Sequence, residues 1–99
     1  MDPLDYLGKK YDSCWHFAAD FYGFPIDVPL DGFTPVDVPA DNDYFLAFRG
    51  QRVYHCGVYH RGGYLHQVTP NQGVVYTQKG FTHVRYYRLT SPLRNGPDQ

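Results

Sequence analysis

A cysteine in the run Tyr11-Asp12-Ser13-Cys14-Trp15-His16-Phe17 stands where a helix is expected to begin. Two histidines lie much further along, in Tyr54-His55-Cys56-Gly57-Val58-Tyr59 and Gly63-Tyr64-Leu65-His66. A thiol at a helix N-terminus, an imidazole to take its proton and a polar group to orient that imidazole make a nucleophilic acyl-transfer site. A free thiol with pKa about 8.5 is only a few per cent thiolate at neutral pH, and a helix N-terminus or a nearby imidazolium lowers that pKa. The imidazole then returns the proton to the leaving amine, while a backbone N–H near Cys14 steadies the oxyanion. Taken singly the residues have plainer uses: a lone cysteine is usually a small buried hydrophobe, and Cys56 has that reading. His16, His60 and His83 read as surface or rim residues.

The helix that must carry Cys14 is expected over 13–22. Asp12 or Ser13 caps it, Cys14, Phe17, Ala18 and Phe21 recur at i, i+3, i+4 and i+7, and Gly23 followed by Pro25 stops it. The spacing puts Cys14 on the buried stripe but in the first turn, where backbone N–H groups lack partners. Residues 24–43 hold four prolines and five aspartates, a composition that sustains neither a helix nor a central strand. They read as a long loop held to the domain by Phe24, Ile26, Leu30 and Phe33, either walling a cleft or merely crossing the sheet.

From Tyr44 onward short β-branched and aromatic runs predict five strands, at 44–49, 52–59, 63–68, 73–78 and 83–89, joined as antiparallel hairpins. Alternation puts His55 on one face with Val53, Gly57 and Tyr59, and Cys56 on the other with Tyr54 and Val58. A two-residue turn at Arg61-Gly62 or Gly62-Gly63 sets position 66 opposite 57 or 59, so His66 shares the His55 face as a direct or diagonal neighbour. The fold class that follows is α+β, a helix and then a meandering sheet in one domain over 1–90, with a flexible tail over 91–99.

Composition narrows the function. The chain has 99 residues, enough for one small domain, and 18% of them are aromatic, including ten tyrosines, which predicts an aromatic-rich core. Residues 1–48 carry nine Asp and two Lys, residues 49–99 seven Lys or Arg and one Asp; the simplest use of this asymmetry is pairing between the halves. The arginines are spread over different strands rather than clustered in a stripe, so no nucleic-acid partner is expected. Two cysteines are too few for a disulfide framework and lack zinc-ribbon spacing, although one bridge between them stays open. No run is apolar enough to span a bilayer and no signal peptide is evident, so delivery to any extracellular site needs another agent.

Together these motifs resemble those of the NlpC-type cell-wall peptidases, within the papain-like superfamily. Tyr11 to Phe17 is similar to the family's cysteine motif, His55 to Tyr59 with Gly63 to His66 to its His-x-Gly-aliphatic-Tyr hairpin, and Gly73-Val74-Val75 to the strand that follows. The likeness covers about residues 5–89. It implies a papain-like fold with the N-terminal helix packed on a five-stranded antiparallel sheet, Cys14 as nucleophile, His55 as general base and then acid, and His66 as the orienter of His55. Tyr11 is similar to the family's tyrosine near the oxyanion, although the glycine-rich insertion that normally separates it from the cysteine is missing. The hairpin is also one residue short.

The resemblance further implies a substrate, the γ-D-glutamyl to diamino-acid amide of peptidoglycan stem peptide, and no cofactor. Compact stand-alone relatives resemble wall-degrading proteins of phage tail tips, so a virion component contacting other tail proteins is expected. The rival is a catalytically silent tail adaptor that keeps the fold. A zinc site using Cys14, His16, His55 and His66 has suitable ligand types but no compact spacing.

Overall fold

The computed structural model describes residues 2–24 and 32–90. A 3₁₀ turn over Pro3–Tyr6 leads to helix α1, Cys14–Tyr22, and six strands follow: β1 Phe33–Val36, β2 Tyr44–Arg49, β3 Arg52–His60, β4 Gly63–Gln67, β5 Val74–Thr77 and β6 Val84–Leu89. Local chemistry sets the helix ends. The Ser13 hydroxyl accepts the His16 N–H, and Gly23 closes the helix in the left-handed region at φ 79° with its N–H on the Ala19 carbonyl, a conformation that favours glycine.

The strands form one antiparallel sheet in the order β1-β6-β2-β3-β4-β5. This corrects the expectation of a papain-like, NlpC-type fold with the helix on a five-stranded sheet. Strands make up 41% of the structure and helices 16%, so the sheet dominates and α1 covers only part of one face. Two elements account for the difference. After β5 the chain does not extend the meander but returns to pair β6 with the free edge of β2. Phe33–Val36, inside the segment expected to be loop, then adds to β6 as an edge strand. Its Pro35 is tolerated because an edge strand needs hydrogen bonds on one side only. Ile26 and Leu30, expected to hold that segment down, and the expected tail over 91–99 lie outside the described residues.

The core has two sides. Facing α1, Phe17, Val58, Leu65 and Val74 pack with Tyr6, and Cys14, Ala18, Tyr44, Leu46 and Cys56 form an adjoining group. On the opposite face Phe45, Ala47 and Tyr64 pack under Phe81 from the β5–β6 connection. Pairing between the acidic and basic halves is realised at Asp43, which is 2% exposed. Its two carboxylate oxygens take Arg88 Nε at 3.0 Å and Nη2 at 2.8 Å, a bidentate geometry that offsets part of the burial penalty. Arg49 and Arg85 lie instead over the rings of Tyr54 and Phe48. Among the described residues no helix is long and apolar enough to cross a membrane.

Two irregularities shape β3. Ala47 pairs with His55 but Phe48 with Val53, so Tyr54 is an extra residue, a bulge beside His55. The bulge carries Val53 to the α1 face, where it packs near Cys56, rather than to the His55 face that strict alternation predicts. Pairing between β3 and β4 is also short, from Val58 with Leu65 to His60 with Gly63. Gly57, the next residue of β3, lies hard against the β4 backbone. A methyl group there would collide with the Leu65 carbonyl and with the Phe45 ring. Gly57→Ala should therefore lower the unfolding free energy by about 1–3 kcal/mol through overpacking. Urea denaturation measures this, and an unchanged midpoint would show that the Leu65 carbonyl and the Phe45 ring give way to a methyl group without cost.

Candidate active site

Cys14 is the first residue of α1 and is 8% exposed. The segment before it is anchored by the buried side chain of Gln67, which accepts the Tyr11 N–H at 2.8 Å and donates to the Tyr11 carbonyl at 2.6 Å. This clamp joins the approach to the helix directly to β4, next to His66. In the first turn Ser13 takes the N–H of His16 through its hydroxyl and that of Phe17 through its carbonyl. The amides of Cys14 and Trp15 are left at the open end of the helix, where no intrahelical acceptor exists.

The structure brings Cys14, His55 and His66 together, the thiol within reach of His55 and His55 in contact with His66. His55 Nε2 lies 2.7 Å from His66 Nδ1, and His66 Nε2 lies 3.0 Å from Thr77 Oγ1. Since Thr77 Oγ1 donates to the Lys79 carbonyl at 3.4 Å, a pure acceptor, the hydroxyl is free to accept from His66 Nε2–H. His66 Nδ1 is then the acceptor for His55 Nε2–H, and His55 presents Nδ1 to the Cys14 thiol. This assignment gives the two rings mutually consistent tautomers. Phe81 lies over the pair, with ring centroids 5.5 Å from His55 and 5.4 Å from His66.

The electrostatics fit these directions. The Cys14 thiol is pulled from its ordinary 9.0 to about 5: the hydrogen bond from Cys56 lowers it most, burial opposes, and the hydrogen bond and charge of His55 lower it further. Cys56 is raised by burial and by its neighbour Cys14, so it stays a thiol with one proton to give. His66 is lowered from 6.5 to about 4 by desolvation and by the charge of His55, which keeps it neutral and able to accept. The arrangement holds a thiolate, a proton carrier and a neutral orienter in line.

The other sequence candidates lie elsewhere. Tyr11 does not join the cluster: its hydroxyl donates to Asp20 Oδ2 at 2.7 Å and its ring packs on Phe17. Asp20 is six residues along the helix from Cys14, roughly 9 Å at the helical rise. His16 Nδ1 is held by Ser13 Oγ at 2.8 Å. Among the described residues no group of three His, Cys, Asp or Glu side chains could hold a metal ion. Sequence reasoning missed Gln67 and Thr77. Strand parity offered a signal for Thr77, since His66 pairs with Val75 and Thr77 is the next residue on that face. No family model matches the chain, and no curated protein matches it.

Two outcomes are expected from alkylation of Cys14 by iodoacetamide, followed by mass spectrometry. The rate should rise with pH through about 5 and then level off, because the reactive thiolate is present above that pKa and is lost below it. In His55→Ala the midpoint should move toward the ordinary thiol range; a midpoint near 9 in the wild type would overturn the thiolate. Thr77→Val, which removes the acceptor at similar volume, should raise the Cys14 midpoint by about one pH unit, about 1.4 kcal/mol of thiolate stabilisation. Thr77→Ser should restore it, and equal midpoints in all three would leave Thr77 without a role in orientation.

Proposed function

We propose that the protein is a cysteine peptidase that hydrolyses an amide bond of bacterial peptidoglycan stem peptide, of the γ-D-glutamyl to diamino-acid type, as a wall-degrading component of a phage tail tip. The observation that carries the catalytic part is the line of contacts from His55 to His66 at 2.7 Å and from His66 to Thr77 at 3.0 Å, with the Cys14 thiol at the His55 end and shifted down beside it. The choice of substrate and setting rests on the motif resemblance to NlpC-type peptidases.

In this reading the Cys14 thiolate attacks the scissile carbonyl carbon, and the first-turn amides of Cys14 and Trp15 receive the oxyanion. His55 Nδ1–H gives its proton to the leaving amine, while Nε2–H remains bonded to His66. Water then enters, loses a proton to His55 and attacks the acyl-enzyme; the acid product departs and Cys14 leaves as thiolate. His66 stays neutral throughout, so it orients the ring without competing for the proton.

Purified sacculi incubated with the protein should release stem-peptide fragments cut at this bond, resolved by chromatography and mass spectrometry. Cys14→Ala should lower the release by at least about a thousand-fold while the fold, followed by circular dichroism, persists. Release undiminished in Cys14→Ala would exclude Cys14 as nucleophile. No release by wild-type protein whose Cys14 alkylates quickly would favour the silent tail-adaptor role.

A further inference from the structure

Cys56 has no acyl-transfer step of its own, yet it is the larger anomaly of the site. It is 0% exposed, in a group of apolar side chains where valine or alanine would serve packing equally well. Its sulfur lies 3.4 Å from the Cys14 carbonyl oxygen, in the same buried group as the Cys14 side chain. Both cysteines are free. We propose that Cys14 and Cys56 form a reversible disulfide when Cys14 reacts with a hydroperoxide, with Cys14 as the peroxide-reactive residue and Cys56 as the resolving one.

The order of events follows from the two environments. A thiolate, not a thiol, attacks the peroxide, and only Cys14 is held in that form. In the first step the Cys14 sulfur forms an S–O bond as the O–O bond breaks, giving the sulfenic acid and an alcohol or water once the leaving oxygen is protonated. In the second, the Cys56 sulfur attacks the sulfenic sulfur, the S–S bond forms and the S–O bond breaks, and hydroxide leaves with the Cys56 proton as water. Two thiols are oxidised by two electrons and one hydroperoxide is reduced. The raised pKa of Cys56 slows its attack, but packing of both side chains in one buried group replaces a bimolecular encounter, an advantage equivalent to effective molarities of about 10⁵ M or more in well-oriented cases. The nucleophile is thereby masked rather than carried on to the irreversible sulfinic acid, and the first turn of α1 is tied to β3.

The test needs no peptidase activity. Wild-type protein treated with a small excess of hydrogen peroxide should lose two hydrogens, stay monomeric on a non-reducing gel and yield a Cys14–Cys56 cross-linked peptide. Dithiothreitol should return nearly all of Cys14 to the alkylatable form. Cys56→Ser, which keeps a hydroxyl donor beside Cys14, should instead accumulate Cys14 sulfinic acid, with recovery falling at least about ten-fold, since that oxidation state is not reversed by thiols. Sulfinic acid forming in wild type as fast as in the variant, or cross-links found only between molecules, would overturn the proposal. The wild-type cross-link is decisive even if the variant does not fold.

Discussion

The 2.7 Å contact between His55 Nε2 and His66 Nδ1 constrains more of this structure than its length suggests. The two rings come from neighbouring strands just beyond the end of their paired register. That register ends at Val58 and Leu65, and Gly57, lacking a side chain, lets the Phe45 ring and the β4 backbone come close. Beside this point the Cys14 thiol, from the helix side of the sheet, comes within reach of His55. The bulge at Tyr54 acts in the same direction by turning β3 immediately before His55.

Holding that geometry falls to polar groups that take no part in the chemistry. Gln67 pins the backbone of Tyr11, and Ser13 caps the turn that follows, so Cys14 is placed from both directions. At the far end of the helix the Tyr22 hydroxyl reaches the Asn42 carbonyl, in the turn that leads to the buried Asp43 and its Arg88 partner. These bonds are individually modest, about 0.5–1.5 kcal/mol for neutral partners. Their value lies in asymmetry: truncating Gln67 would leave the Tyr11 N–H and carbonyl with nothing to replace it.

Much of the site was legible in the sequence because it rests on local rules. The cap at Ser13, the stop at Gly23 and the two-residue turn at Arg61-Gly62 place Cys14 at a helix start and His66 opposite Gly57, hence diagonal to His55. The departures arise where a local rule meets a long-range choice. Nothing local distinguishes a β6 that extends a meander from one that returns to β2, and Phe33–Val36 is a strand only because β6 is there to receive it. The Tyr54 bulge is likewise invisible to alternation, which is why Val53 changed face. Motif likeness puts Tyr11 near the oxyanion, whereas the carboxylate of Asp20, nine residues on, holds its hydroxyl.

The balance of forces on Cys14 explains why a site so enclosed still holds an anion. Burial alone raises a thiol, as the neighbouring Cys56 shows in the same apolar group. Cys14 differs in having a donor thiol on one side, an imidazole on the other and the open end of a helix around it. Each contribution strengthens as water is excluded, because a hydrogen bond to a charged sulfur gains more than a neutral one when the local dielectric falls. Covering the thiol to 8% exposure therefore both raises the penalty for charging it and strengthens the interactions that overcome that penalty. Here the second effect prevails, and it does so only while Cys56 keeps its proton and His66 keeps His55 turned toward the sulfur.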